Sequence, residues 1–412
     1  MLYHYLMNSQ PKAIFSPEKD ALNEDSAALY IQNHPIRKKI FADNDQLVAK
    51  DLADGNVNLV FRVFAKNAPE KSVIVKQALP YARKYPDFKM PLERARIEYD
   101  VLVEHNKLAK GLCPEVYSFD ETLFINVMED LRGLKIMREG MLTQTVFPNA
   151  AKDIGLFLGR TLFYGSDFYL ESAAKKARTV QFQNPVLTKV TEDLIYTFPF
   201  VSHETNRFPK SISAQMSAFY EDPKIRAAAT ACKYEFMTAA QTLLHGDLHT
   251  GSIMVSSDAT KVMDPEFAVY GPIAFDVAAV VANYALSSFS QKFHAKDQKV
   301  RAEFCEYLKD SIQTIWTTFR EEFCRNFEKD CLPEWRSGFF MDSFMSALET
   351  QVIRHSACEM VRRTVGMAHI LELDEITDEN ALSDISSSII VAASRLLIDG
   401  NPKFDLFTKL LP

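Results

Sequence analysis

The residues with the most chemistry lie in the run His245-Gly246-Asp247-Leu248-His249-Thr250-Gly251-Ser252-Ile253, followed by Asp264-Pro265-Glu266. Between them, Ile253-Met254-Val255 and Lys261-Val262-Met263 flank Ser256-Ser257-Asp258. That order of types predicts loop, strand, turn and strand, a hairpin with Asp247 and Asp264 at neighbouring ends of paired strands. One carboxylate there can orient a hydroxyl and the other can hold a metal on a nucleotide. Phosphoryl transfer asks for these parts, because its catalysis is mostly positioning and charge stabilisation. As a base toward the acceptor hydroxyl, Asp247 would contribute about 10²- to 10⁴-fold in rate. Two close carboxylates repel unless a cation lies between them, so Asp264 and Glu266 across a stiffening proline point to Mg²⁺. The competing reading has each carboxylate capping a local turn.

Other candidates fall in an order that phosphoryl transfer can use. Asp54-Gly55-Asn56-Val57-Asn58 is a turn between strand-like runs that could cover phosphates, or an ordinary hairpin turn. Lys76 ends the apolar run Val73-Ile74-Val75, which would fix a point charge for phosphates or leave a lysine at a strand end. Glu98 on the next helix could hold Lys76, with Glu93 as its rival. Glu129-Asp130-Leu131 follows a strand, and its backbone could meet an adenine edge. Arg362 and Arg363 are adjacent inside an apolar helix, about 100° apart around its axis. At least one must face inward, toward a phosphate or an internal carboxylate such as Asp276. His245-x-Asp247-x-His249 also admits a three-ligand metal site of a hydrolase. The remaining histidines form no second set, and Gly246 fits a loop, so the two histidines read better as hydrogen-bonded loop supports.

These groups need elements to carry them. Residues 46–48, 57–64 and 72–77 are rich in β-branched and aromatic side chains and predict strands. Residues 91–108 predict a helix with Leu92, Ala95, Tyr99, Leu102 and Val103 on one face, followed by strands at 116–119 and 122–128. Residues 1–45 read as an extension with a short helix around 26–33. A β-rich N-terminal lobe over 46–130 then gives way to a mainly helical C-terminal lobe over 131–412. In that lobe Phe304, Leu308, Ile312, Ile315, Phe319 and Phe323 step at helical spacing, and 336–371 and 379–399 read as helices. The fold class is α+β, bilobal, with a small β-rich lobe and a larger helical one.

Composition sets limits. The 412 residues are 47% hydrophobic and 25% charged, as in ordinary globular chains, with 30 Phe and 15 Tyr available for a core. A formal charge of −7 without a basic tract argues against nucleic acid as a partner. The longest apolar run, residues 274–286, is broken by Asp276 and Asn283 and reads as a buried segment, so no membrane is expected. The 6 cysteines are scattered without a C-x-x-C pair, which predicts reduced thiols and a cytoplasmic protein.

Taken together, these residues resemble the 5-methylthioribose kinase family, from about residue 51 to 376. The likeness is carried by Asp54-Gly55-Asn56-Val57-Asn58-Leu59-Val60-Phe61, Val75-Lys76-Gln77-Ala78-Leu79-Pro80-Tyr81 and Glu93-Arg94-Ala95-Arg96-Ile97-Glu98. It continues through Val127-Met128-Glu129-Asp130-Leu131, the 245–253 run, Asp264-Pro265-Glu266-Phe267, Tyr270-Gly271-Pro272-Ile273, and Arg362-Arg363. Ser252, together with Glu266 beside Asp264, separates it from choline and aminoglycoside kinases.

The resemblance implies a kinase-like fold and phosphorylation of the anomeric hydroxyl of 5-methylthioribose by ATP and Mg²⁺, giving the 1-phosphate in methionine salvage. It implies that Asn58 and Lys76 contact ATP phosphates, and that Glu129, Asp130 and Leu131 meet the adenine. Asp264-Pro265-Glu266 would bind Mg²⁺–ATP, with Asp264 and Glu266 as metal ligands. Asp247 would bind the sugar hydroxyl as base, while Arg362 and Arg363 hold the substrate. It also allows a homodimer. The family's G-E-S-W-P is replaced here by Tyr85-Pro86-Asp87-Phe88-Lys89-Met90-Pro91, without a tryptophan. Competing functions are a kinase of another small alcohol or amino sugar and a nucleotide-binding pseudoenzyme.

Overall fold

The computed structural model describes residues 15–52 and 57–412. The Asp54-Gly55-Asn56 turn lies outside the described residues. The chain divides into two compact units: the described residues through Val103 with Pro114–Arg132, and Glu104–Cys113 with Gly133–Pro412.

The first unit is built on a five-stranded antiparallel sheet ordered β1-β2-β3-β5-β4, where β1 is Leu47–Asp51, β2 Leu59–Ala65, β3 Ala68–Gln77, β4 Val116–Asp120 and β5 Ile125–Glu129. Alternation decides its faces. Phe61, Val63 and Ala65 of β2, Val73 and Val75 of β3, and Ile125 and Val127 of β5 form one buried cluster. Helix α1 (Glu24–Asn33) covers that cluster with Ala27 and Ile31, joined by Ile36 and Phe41. Its start is set locally by a capping box: Asn23 accepts from the Ser26 N–H, and Ser26 Oγ accepts from the Asn23 N–H. Gln77 ties the preceding residues to the sheet, accepting from the Leu22 N–H and donating to the Asp20 carbonyl. The described part of the expected N-terminal extension thus contributes core to this unit. Helix α2 (Arg94–Leu108) starts in this unit, where Ala95 packs with Ala78 and Phe124. Residues 81–89 form a small hairpin, Tyr81–Ala82 with Tyr85–Lys89, at the place of the altered loop.

The second unit is mainly helical. Strand β6 (Lys135–Ile136) leads into α3 (Met137–Leu142), and α4 (Ala150–Tyr164) follows. The short strands β7 (Thr242–Leu243), β8 (Ile253–Val255), β9 (Thr260–Val262) and β10 (Tyr270–Gly271) come next. The expected hairpin is β8 against β9, with Ile253 opposite Val262, and β6 joins on the other edge of β8. Helix α5 (Ala274–His294) is buried from Ala274 to Gln291, so the apolar run there is core. Helix α6 is longer than its apolar stripe, running Gln298–Asp330 from an Asp297 cap, with Phe304, Leu308, Ile312, Ile315, Phe319 and Phe323 all buried. Helices α7 (Phe340–Val365), α8 (Leu371–Asp374) and α9 (Glu379–Ile398) complete the parts used below. By length and hydropathy α9 matches a membrane span, but it packs on α5 and α7 with Ile385, Ile389, Ile390, Leu396 and Leu397 buried.

The packing of α1 generates a stability contrast. Ile31→Ala, at a site with 0% exposure, should cost about 2–5 kcal/mol in urea unfolding followed by circular dichroism. Leu29→Ala, one face away at 61% exposure, should stay within about 0.5 kcal/mol. Equal small effects would mean that α1 is not part of the core.

Candidate active site

In the first unit, β3 sends Val73 and Val75 to the α1 side and Lys76 to the opposite face. There Lys76 Nζ lies 2.7 Å from Glu98 Oε1 on α2, with both side chains nearly buried. Glu98 is itself steadied by Asn126 Nδ2 at 3.3 Å, and the same amide donates to the Ala95 carbonyl. The helix partner is thus Glu98, while Glu93 pairs with Arg96. Asn58 Oδ1 accepts from Arg94 Nη2 at 2.8 Å, and Arg94 Nη1 donates to the Leu79 and Pro91 carbonyls. This buried arginine pins the strand entry that carries Asn58.

The Glu129-Asp130-Leu131 segment leaves β5 under restraint. Glu129 Oε2 accepts from the Glu115 N–H at 3.0 Å, and Asp130 accepts from Arg62 Nε and Ser72 Oγ. Leu131 is buried. The Glu129 N–H is also taken, donating to the Glu115 carbonyl at 2.7 Å, so this strand end is tied to the sheet by both side chain and backbone.

In the second unit, the loop after β7 is held from behind. Asp276, buried at the start of α5, accepts from the N–H groups of His245 at 2.6 Å and Gly246 at 3.0 Å. Burial raises the Asp276 pKa, against the pull of His245 and these two donors. The sequence alternative paired Asp276 with the arginines; it instead fixes the loop. Gly246 has φ +85°, and a Cβ there would lie 2.3 Å from the Phe267 carbonyl oxygen, so only glycine fits. His245 Nε2 meets the Met263 carbonyl at 2.9 Å, and its Nδ1 accepts from the Asp247 N–H. Ser252 Oγ donates to the Asp247 carbonyl at 3.0 Å. Both histidines therefore support the loop with their rings.

The Asp247 carboxylate is 32% exposed and held from two sides. His249 Nε2 is 3.4 Å from Oδ2, and Arg363 Nη2 is 3.5 Å from Oδ1. Burial disfavours its charge, but His249, Arg363 and Arg362 outweigh that and hold the carboxyl far below the ordinary carboxylate range. A group so acidic is a weak base. Held by His249 and Arg363, it is a fixed group able to accept a hydrogen bond.

Arg362 and Arg363 both turn toward Glu359, one helical turn back on α7. Arg362 Nη1 is 2.9 Å and Arg363 Nε 2.6 Å from Glu359 Oε1. Burial works against the Glu359 charge, and the two arginines reverse that effect. Sequence reasoning missed Glu359, although spacings of three and four residues on a helix were a usable signal. It also missed Arg138 on α3, whose Nη2 is 3.2 Å from His249 Nδ1, and Glu372 on α8 beside it. No local pattern marks either residue.

Asp264 follows β9 with φ +70°, a left-handed backbone uncommon for aspartate and typical of strain held at functional sites. Pro265 and Glu266 are buried, and the Glu266 carbonyl accepts from Asn184. Among the described residues no three His, Cys, Asp or Glu side chains gather as a metal cage. Asp264 and Glu266, two residues apart, would offer a divalent cation the hard carboxylate oxygens it prefers.

These features define a phosphotransferase of the kinase-like class. A family model described as a phosphotransferase enzyme family matches residues 48–307. A methylthioribose kinase of Bacillus velezensis is 38% identical over 359 residues, covering 87% of each chain. One from Geobacillus kaustophilus is 36% identical over 367 residues, 88% of this chain and 90% of that one. Another, from Enterobacter sp., is 34% identical over 352 residues, 85% and 88% of the two chains. Among solved structures, a glucosamine kinase in complex with glucosamine, ADP and inorganic phosphate aligns with TM-score 0.49 and 14% identity, over 89% of this chain and 85% of that one. The chain belongs to the methylthioribose kinase family.

Two buried imidazoles of the second unit set a pH dependence of stability. Burial holds His105 at about 3, helped by His245. Burial also leads in holding His249 at about 4, against the pull of Asp247. An unfolded imidazole takes its proton near 6.5, as in model peptides. Between that value and the folded ones the unfolded chain binds more protons, so stability rises with pH. Thermal melts should show it present above about pH 6.5 and falling toward pH 4.5, before most carboxylates titrate. His105→Leu should flatten part of the slope; an unaltered slope would remove His105 from the effect.

Proposed function

We propose that this chain transfers the γ-phosphoryl group of ATP to the anomeric hydroxyl of 5-methylthioribose, giving 5-methylthioribose 1-phosphate and ADP. The observation that carries the reading is Asp247, an ionised acceptor clamped between an imidazole and a guanidinium on a loop that Asp276 holds rigid. The choice of sugar is supported by relatives that carry the name methylthioribose kinase along most of their length.

Lys76, placed by Glu98, provides a point charge for phosphate oxygens; Asn58, set by Arg94, belongs to the same role. The backbone of Glu129, Asp130 and Leu131 recognises the adenine edge. Asp264 and Glu266 hold Mg²⁺, which when bound neutralises phosphate charge. Asp247 accepts a hydrogen bond from the acceptor hydroxyl and aims its oxygen at phosphorus. As the new O–P bond forms, the bond from phosphorus to the β–γ bridging oxygen breaks, and the hydroxyl proton passes to Asp247 and then to solvent. A strongly acidic carboxylate suits a loose transition state, in which the proton leaves late. Arg362 and Arg363 are cations beside that carboxylate, placed to hold the sugar and the charge it gains.

The test is ADP release from Mg²⁺–ATP with 5-methylthioribose, beside ribose, choline and an aminoglycoside. Turnover is expected with 5-methylthioribose alone. Turnover with another acceptor would replace the sugar, and ATP binding without turnover on any would indicate a pseudoenzyme. Asp247→Asn should cut kcat at least about 10²-fold and leave ATP affinity unchanged. Glu98→Gln should weaken ATP use through Lys76 and leave the sugar KM near wild type; the opposite pattern would separate the pair from phosphate binding.

A further inference from the structure

The hold on Asp247 extends behind His249. His249 Nδ1 accepts from the Gly251 N–H at 2.9 Å and faces Arg138 Nη2 at 3.2 Å. Arginine offers only donors, so the Nδ1 lone pair points at both groups and the ring proton sits on Nε2. Nε2 is the atom that faces Asp247 Oδ2. The ring therefore presents an N–H to the carboxylate and not a lone pair. A Cβ at position 251 would lie 2.7 Å from His249 Cε1 and 3.2 Å from Arg138 Cζ, so the glycine makes room for this stacking of groups.

Behind Arg138 stands Glu372. Its side chain has 0% exposure, one oxygen is 3.5 Å from Arg138 Nε, and among the described residues neither oxygen accepts a hydrogen bond from a neighbour. A buried carboxylate without donors is costly unless a cation compensates it. Burial raises the Glu372 pKa, and Arg138 is the main influence opposing it. The guanidinium is thus placed between a carboxylate that needs its charge and an imidazole that takes its N–H.

We infer that Arg138 and Glu372 are positioning residues for Asp247, acting through the His249 ring; this rests on the reading of Asp247 as the group that orients the acceptor hydroxyl. Arg138 fixes the tautomer and opposes a second proton on the ring. The charged groups facing His249 are Asp247 from its own loop, Arg138 from α3 and Arg363 from α7. Glu372 of α8 and the Glu359–Arg362 pair of α7 stand one contact further out. A neutral ring gives Asp247 one hydrogen bond and leaves its negative charge for the hydroxyl. An imidazolium would neutralise that charge.

The first measurement is a ¹⁵N NMR titration of His249 in the unliganded full-length protein, which needs no substrate. The wild-type ring should remain the neutral Nε2–H form at pH 5.5. In Arg138→Met its midpoint should rise by about one unit or more, toward the ordinary value near 6.5. Turnover should follow: the acid limb of kcat moves up by the same interval, so kcat at pH 5.5 falls by up to about 10-fold, and the ATP KM stays put. His249→Gln keeps an N–H for Asp247, so adding Arg138→Met to it should cost no further turnover. Arg138→Met with Glu372→Met leaves neither charge uncompensated, guards against failure to fold, and should repeat the upward shift. An unchanged His249 titration in both Arg138 variants, or losses that simply multiply with His249→Gln, overturns the inference. If the wild type phosphorylates no sugar, the substrate reading fails, while the titration still decides what Arg138 does to His249.

Discussion

Burying charge around Asp247 is the constraint on which the helical unit depends. Arg138, Arg362 and Arg363 converge with Glu359, Glu372 and the partly exposed Asp247, and all but Asp247 are largely removed from water. An isolated ion would lose its solvation there, so the site is stable only with its signs alternating. The sequence of contacts does alternate: Glu372, Arg138, the His249 ring, Asp247, Arg363, Glu359, Arg362. Three helices and one loop must meet in register for this to hold. The apolar packing of α5 and α7 positions those helices, and Asp276 fixes the loop by accepting its two N–H groups. Order in the charged cluster thus follows from order in the hydrocarbon core beneath it.

The same balance shapes the chemistry. A carboxylate pushed far below its ordinary range is a poor proton acceptor and a reliable hydrogen-bond acceptor. Phosphoryl transfer with a loose transition state needs the second property more than the first. The β-rich unit follows a similar logic with fewer parts. One strand, β3, divides its residues between two faces, apolar toward α1 and Lys76 toward α2. There the Glu98 carboxylate meets the Lys76 ammonium at 2.7 Å, with both side chains nearly buried.

Much of the architecture was legible because its signals are local. β-Branched runs marked the strands, and the stripe Phe304 to Phe323 marked α6, because period alone separates buried from exposed faces. The 245–266 run was legible as a hairpin flanked by carboxylates, since glycine, proline and serine punctuate it. Lys76 and Glu98 were legible as candidates, but Glu93, just before the same helix, left the choice open until the helix was set on the sheet. The described residues of the N-terminal segment gave little signal. Ala27 and Ile31 make too narrow a stripe to announce a core helix, and their burial depends on a sheet that comes later in the chain.

By itself the sequence determined the elements, the order in which they occur and the residue types able to handle phosphate, metal and hydroxyl. Each of these follows from neighbours a few positions apart, where propensity, capping and side-chain period act. Tertiary structure alone decided which charges would meet. Arg138 and Glu372 come from distant parts of the chain, and Asp276 reaches back to a loop some thirty residues earlier. Electrostatic pairing in a dry interior depends on distance in space and on the loss of water around both partners. Neither quantity exists until the helices have packed.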